Sequence, residues 1–227
     1  MSSKPAVIVF DVNETLSDLS PLGARFVELG ASASAAPLWF AALLRDGFAL
    51  TAAGTNPVFA DVARELLVRQ LSEVQLNRSV ADAATHVMDG FAALELHADV
   101  VNGVDRLSED GFRLVTLSNG ATSVAERLLD DGGILDRFER LLSVEDAPAW
   151  KPARSAYAHA AEQCGCALEE MALVAAHPWD VDGARRAGMQ SVWVNRSGGP
   201  FPAVFTEPDH VVAGIDELPD LWSDLHV

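Results

Sequence analysis

Ala6-Val7-Ile8-Val9-Phe10 runs without a polar break into Asp11. A continuous apolar, largely β-branched run of this kind marks a strand buried on both faces, and such strands belong to parallel sheets covered by helices. Phe112 to Leu117 (FRLVTL) repeats the pattern and stops at Ser118-Asn119-Gly120. Met171 to Ala176 (MALVAA) repeats it again and stops at His177-Pro178-Trp179-Asp180. Leu141 to Val144, Ser191 to Val194 and His210 to Ala213 read as shorter strands. Helical spacing lies between them, in Ala121 to Leu129 (with Ser118 or Asn119 able to cap it), Ser155 to Cys164 and Asp180 to Ala187, where Gly188 is a natural stop. Strand and helix alternate, so the fold class is α/β, a Rossmann-like parallel sheet.

Leu19 to Asp99 breaks that rhythm. LWFAALL, NPVFADVARELLVRQL and ADAATHVMDGFAAL carry helical spacing, punctuated by Gly47, Gly54 and Asn56-Pro57, with no convincing strand. The expected organisation is a catalytic core from residues 1–17 and 100–227, with an all-helical cap of residues 18–99 inserted after the first strand and lying over the sheet's carboxyl edge.

Of 227 residues, 33 are acidic and 16 basic, a formal net charge of -17. A surface so acidic argues against nucleic acid or anionic membrane as partner, since both need a basic face. A small anionic substrate would need its cations gathered locally. Cys164 and Cys166 are the cysteines, separated by one glycine; that span is too short for an unstrained disulfide, and free thiols in a reducing compartment are expected. Met1 to Pro5 lacks a long apolar leader, and no apolar run approaches a membrane span, so the expectation is a soluble, cytoplasmic protein.

Open parallel sheets bind ligands beyond the carboxyl ends of their strands. Asp11, Ser118 and Asp180 stand at or near such ends, and Lys151 follows Leu141 to Val144 in a loop that can join them. Each has a bland alternative. A polar residue after a strand is ordinarily a loop residue, Lys151 could be a surface lysine, and Asp180 could be a helix cap. Their convergence on one edge, with opposite charges, favours a site.

Phe10-Asp11-Val12-Asn13-Glu14-Thr15-Leu16 resembles the first motif of the haloacid dehalogenase superfamily. Thr116 to Gly120 resembles the second, Trp150-Lys151-Pro152 the third, and Val174 to Ala184 the fourth, in matching order and spacing. The resemblance implies a helical cap where the insertion falls, and Asp11 as nucleophile. Phosphatases of this superfamily carry a second aspartate two residues after the nucleophile and another early in the fourth motif, the latter to hold Mg²⁺. Here those positions are Asn13, and Ala175, Ala176 or His177. Asn13 cannot shuttle a proton, an alanine has no ligand atom, and imidazole is a poor magnesium ligand. Both departures point to the 2-haloacid dehalogenase branch, whose fourth motif resembles His177-Pro178-Trp179-Asp180 and which has a tyrosine where Tyr157 falls.

The resemblance implies metal-independent hydrolysis of a short 2-haloalkanoate, without cofactor, through an aspartyl ester and with inversion at carbon 2. Lys151 would keep Asp11 ionised, Asp180 would hold Lys151, and Ser118 and Thr15 would hydrogen-bond the substrate carboxylate or Asp11, unless they merely cap. Asn119 would meet the departing halide, and Tyr157 would serve in binding. His177 stands where the branch usually has asparagine; it could activate water with a pKa near neutrality, donate a hydrogen bond, or be structural. Asp182 reads as a solvated carboxylate in the first helical turn. The branch's cap arginine after a tryptophan is Phe40 here, so Arg45 is the substitute, against the alternative of a solvated helix face. Phe59 and Trp179 could form apolar walls, although aromatics are more often core. A homodimer is expected. The rival readings are a Mg²⁺-dependent phosphatase or phosphohydrolase, and a catalytically silent binding protein.

Overall fold

The computed structural model describes residues 4–222; Met1 to Ser3, part of the stretch in which no apolar leader was expected, lie outside them. The chain forms two compact units, one made of the chain up to Ser17 together with that from Glu95 onward, and one of Asp18 to Leu94.

The first unit is a parallel sheet of β1 (Val7–Phe10), β2 (Arg113–Ser118), β3 (Phe138–Ser143), β4 (Met171–Ala175), β5 (Gln190–Val194) and β6 (His210–Val212) in the spatial order β3-β2-β1-β4-β5-β6. The α/β class is borne out. All of β1 is buried, as its unbroken apolar run requires. Register places Phe10 opposite Thr116 of β2 and Val174 of β4. Asp11 therefore leaves the sheet between the ends of its two neighbours. The strand order reverses between β1 and β4, which opens a crevice at that edge.

In the helical unit, α1 (Leu22–Glu28), α2 (Ala35–Ala52), α3 (Phe59–Leu71) and α4 (Val80–Ala92) surround Phe26, Trp39, Phe40, Phe59 and Phe91. Trp39 packs edge-on against Phe91 with ring centroids 5.8 Å apart and donates its indole N–H to the Ala63 carbonyl at 3.0 Å. Residues 95–99, expected in this unit, belong to the first. Leu96 bridges Ser17, and the His97 N–H donates to the Leu16 carbonyl at 2.9 Å.

The first unit continues with α5 (Val100–Glu109), α6 (Thr122–Asp131), α7 (Arg154–Cys164), α8 (Pro178–Ala187) and α9 (Leu218–Trp222). The sequence reading missed α5, whose Val104 and Leu107 pack into the core with Ile8 and Phe10. Pro178 opens α8, where its missing N–H costs nothing, and Gly188 closes it at φ 109°. Neither Ser118 nor Asn119 caps α6. Its N-cap is Ala121, which has no side-chain bond to offer. Among the described residues no helix is long and apolar enough to cross a membrane.

Candidate active site

Three segments, the end of β1, the loop ahead of α7 and the first turn of α8, deliver the buried charged groups. Asp11 ends β1 and is fixed by its own N–H, which donates to the Val174 carbonyl at 3.0 Å. Lys151 lies just ahead of α7, with its backbone held by Asn119 from the end of β2. Asn119 Oδ1 accepts the Lys151 N–H at 2.9 Å, and Nδ2 donates to the Lys151 carbonyl at 3.3 Å. The ammonium then donates to Asp11 Oδ1 at 2.9 Å and to Asp180 Oδ2, in the first turn of α8, at 2.6 Å. Tyr157 on α7 donates its hydroxyl to Asp180 Oδ1 at 2.6 Å.

These groups are out of water: Lys151 and Asp180 are 0% exposed and Asp11 is 4%. Burial disfavours every charge, so the pairings decide the protonation states. For Asp11, burial pushes upward but Lys151 and His177 prevail, holding the carboxyl well below the usual range. Burial pulls the Lys151 ammonium down, and the two carboxylates overcome it, so its pKa rises. Asp180 is pushed up by burial, which together with the charge on Asp11 outweighs Lys151. Tyr157 is raised well above its ordinary value by burial and by Asp180, and stays a hydrogen-bond donor.

The second Asp11 oxygen has its own partners. Thr15 donates to Asp11 Oδ2 at 2.7 Å and accepts the Ala176 N–H at 2.9 Å, tying the loop after β1 to the end of β4. His177, the N-cap of α8, places Nδ1 3.2 Å from the same oxygen and Nε2 2.8 Å from Glu14 Oε2. Burial works against its positive charge, but hydrogen bonds to Asp11 and Glu14 lift its pKa to about 9. Trp179 stacks on the imidazole with centroids 5.1 Å apart.

The structure thus joins Asp11, Thr15, Lys151, Tyr157, His177 and Asp180 directly, and several readings need correction. His177 is a cation in the resting site, because two carboxylates flank it, and is not a base poised near neutrality. Tyr157 acts on Asp180 and has no exposed surface for substrate. Asp180 caps no helix, since His177 holds that position. Ser118 accepts the Gly120 N–H at 2.9 Å, so it shapes its own turn. One N–H of Asn119, assigned to halide, goes to Lys151. Asp182 is not a freely solvated carboxylate, for it binds Arg186 at 2.9 Å and accepts the Thr206 N–H at 2.8 Å. In the helical unit Phe59 is 3% exposed and stacks on Phe91, a core aromatic and not a wall. Arg45 is solvent-exposed and pairs with Asp46 at 2.6 Å.

Sequence reasoning missed Glu14 and the Asp99–Arg196 pair. Glu14 sits at φ 61°, a left-handed conformation uncommon outside glycine, and its carboxylate lies 2.8 Å from His177 Nε2. No spacing rule marks it. Arg196 follows β5, donates to the Thr15 carbonyl at 2.6 Å and pairs with Asp99 at 2.9 Å, bracing the loop after Asp11 from behind.

A magnesium ion needs oxygen donors at Asp11. Ala175 and Ala176 supply none from their side chains, and both Asp11 oxygens already face cations or hydroxyl donors. Among the described residues no group of three His, Cys, Asp or Glu side chains is placed to hold a metal. The residues present do not fit such an ion.

The haloacid dehalogenase-like hydrolase family matches residues 5–188. An (S)-2-haloacid dehalogenase of Pseudomonas sp. (strain CBS-3) is 28% identical over 218 residues, 94% of each chain. A haloacetate dehalogenase of Moraxella sp. (strain B) is 33% identical over 136 residues, covering 60% of this chain and 61% of that one. A crystal structure of a dehalogenase with an intermediate complex superposes with a TM-score of 0.90 at 26% identity, over 97% of this chain and 98% of that one.

Proposed function

The chain belongs to the haloacid dehalogenase-like hydrolases, and on that premise we propose that it removes halide hydrolytically from short 2-haloalkanoic acids. The observation that carries the reading is the Asp11–Lys151 pair. A buried carboxylate is kept ionised by a buried ammonium at 2.9 Å, beside Asn13 where a phosphatase needs an acid. The names of the two dehalogenase relatives above supply the substrate class.

Asp11 attacks carbon 2 from the side opposite the halogen. The new C–O bond forms as the carbon–halogen bond breaks with its electron pair, leaving an ester on the enzyme and free halide. Water then attacks the ester carbonyl carbon, and cleavage of the bond between that carbon and the substrate oxygen returns Asp11 and a 2-hydroxy acid. One displacement at carbon 2 inverts it. Lys151 and protonated His177 present positive charge to an anionic substrate despite the acidic surface, and backbone N–H groups after Asp11 can steady the oxyanion of the second step. Asp180 and Tyr157 orient Lys151. In this reading the helical unit acts as the cap, and the enzyme works as a cytoplasmic homodimer.

The test is halide release from chloroacetate, fluoroacetate and the two 2-chloropropionate enantiomers, with excess EDTA and an Asp11→Asn control. Release that persists in EDTA and disappears in the variant is expected. Magnesium-stimulated cleavage of a phosphate ester without halide release would instead establish the phosphatase reading. Inactivity in both assays would favour a silent binding protein.

A further inference from the structure

The chain leaves the first unit after Ser17 and returns to it at Glu95. The outgoing and returning segments lie side by side. Ser17 bridges Leu96, the His97 N–H donates to the Leu16 carbonyl at 2.9 Å, and His97 Nε2 stands 3.3 Å from the Glu14 carbonyl oxygen. One side chain from elsewhere in the fold grips both segments. Arg196, two residues beyond β5, donates through Nη2 to the Thr15 carbonyl at 2.6 Å and through Nη1 to Asp99 Oδ1 at 2.9 Å. Nη2 also lies 3.2 Å from Asp99 Oδ2. The Asp99 carboxylate is fixed in turn. The Ile215 N–H donates to Oδ2 at 2.6 Å, and a Cβ on Gly214 would stand 3.0 Å from the same oxygen. Burial pushes this carboxyl up, but Arg196 and the Ile215 N–H bring it below its ordinary value, so it meets Arg196 as an anion.

We propose that Arg196, held by Asp99, is a positioning residue for the nucleophilic attack: by fixing the Thr15 backbone it aims the Thr15 hydroxyl at Asp11 Oδ2. The inference rests on the dehalogenase reading.

Thr15 is fully buried, so its carbonyl needs a donor, and the guanidinium supplies a charge-assisted one. A planar fork gripped by both oxygens of a carboxylate has little freedom, and it therefore fixes where that carbonyl sits. On the other side of the same residue, the hydroxyl donates to Asp11 Oδ2 at 2.7 Å and accepts the Ala176 N–H at 2.9 Å. A Thr15 backbone that shifts takes its hydroxyl off Oδ2, and the Asp11 carboxylate then turns away from the line of attack on carbon 2. That line matters steeply, since a misplacement of about 1 Å can cost about 100-fold in rate. Arg196 itself makes and breaks no bond. Because Asp99 stands on the returning segment, the aim of the nucleophile depends on both segments being seated.

The experiment is rapid-quench measurement of first-turnover halide release from 2-chloropropionate, for wild type, Arg196→Gln, Thr15→Val and the double variant. Arg196→Gln should slow release at saturation at least ~10-fold, while the half-saturating substrate concentration changes less than ~3-fold, because Arg196 holds the nucleophile's loop and not the substrate. Thr15→Val alone should slow release as well. In that background Arg196→Gln should cost less than ~2-fold more, since the hydroxyl it aims is gone. Losses that multiply would overturn the inference, and so would a wild-type rate in Arg196→Gln. Thermal melting checks that each variant folds. If Arg196→Gln does not, Asp99→Asn takes its place in the cycle. It keeps an oxygen for the Ile215 N–H, removes the charge that holds Arg196, and should slow the same step at least ~3-fold with the same lack of additivity. Halide release by wild type with additive variants overturns this inference alone; a wild type that releases no halide overturns the dehalogenase reading with it.

Discussion

The ammonium of Lys151 ends 2.9 Å from Asp11 Oδ1, although 140 residues separate the two along the chain. Neither group has water to fall back on, so each depends on the other and on Asp180 for its charged state.

That dependence predicts the cost of removing the cation. Lys151→Met leaves two carboxylates buried without their counter-ion, and breaking such a pair on one side costs about 3–5 kcal/mol. Urea denaturation at pH 7.5 should register the loss. Recovery of part of it below pH 5, where the carboxyls take up protons, would identify charge and not packing as its origin. Halide release should vanish, because Asp11 loses the group that keeps it ionised.

His177 makes stability depend on pH in the alkaline range. Its folded value of about 9 lies above the ordinary 6.5, so the protonated ring is bound more tightly in the folded protein. The resulting stabilisation, on the order of 3 kcal/mol, is complete below about pH 6.5 and is lost as pH rises through about 9. Unfolding free energies at pH 6, 7.5 and 9.5 should therefore fall across the series. His177→Asn should flatten that slope; an unchanged slope would mean that other groups produce it.

Gly183 on α8 sets the distance at which Tyr157 meets Asp180. A Cβ there would stand 2.5 Å from the Tyr157 hydroxyl oxygen and 2.6 Å from Pro152 Cβ. Gly183→Ala must therefore push the α7 side chain or the Lys151–Pro152 loop away, at about 1–3 kcal/mol. Tyr157→Phe removes the same hydrogen bond without the steric clash and leaves a buried carboxylate oxygen short of a donor, a cost of about 1–3 kcal/mol. Lower melting temperature and slower halide release are expected from both. If Gly183→Ala proves neutral in both measurements, the close approach of α8 is not what fixes Asp180.

Much of this was legible in the chain. The predominantly apolar runs that stop at Asp11, Ser118 and His177 located three strands to within a residue or two, because a strand buried on both faces leaves little room for polar alternation. α5 escaped notice: its buried face is Val100, Gly103, Val104 and Leu107, and Gly103 reads as a helix breaker. It is in fact a close-packing position, where a Cβ would run into the Ile215 carbonyl. Ser118 and Asn119 were recognised as polar residues at a strand end, yet their partners could not be read, since a side chain's orientation depends on loops that arrive from elsewhere.

The sequence by itself determined which chemistry is available. Asp11 follows the first strand, Asn13, Ala175 and Ala176 take away the acid and the metal ligands, and Lys151 and Asp180 lie in segments bound for the same sheet edge. Residue identity and strand order settle these matters, and neither needs coordinates. Tertiary structure decided how the charges are shared. It set Lys151 between two carboxylates, turned Tyr157 toward Asp180, and hung His177 between Asp11 and Glu14. The physical reason is that a buried group's protonation follows from distances of about 3 Å and from lost hydration, and both arise when residues far apart in the chain meet.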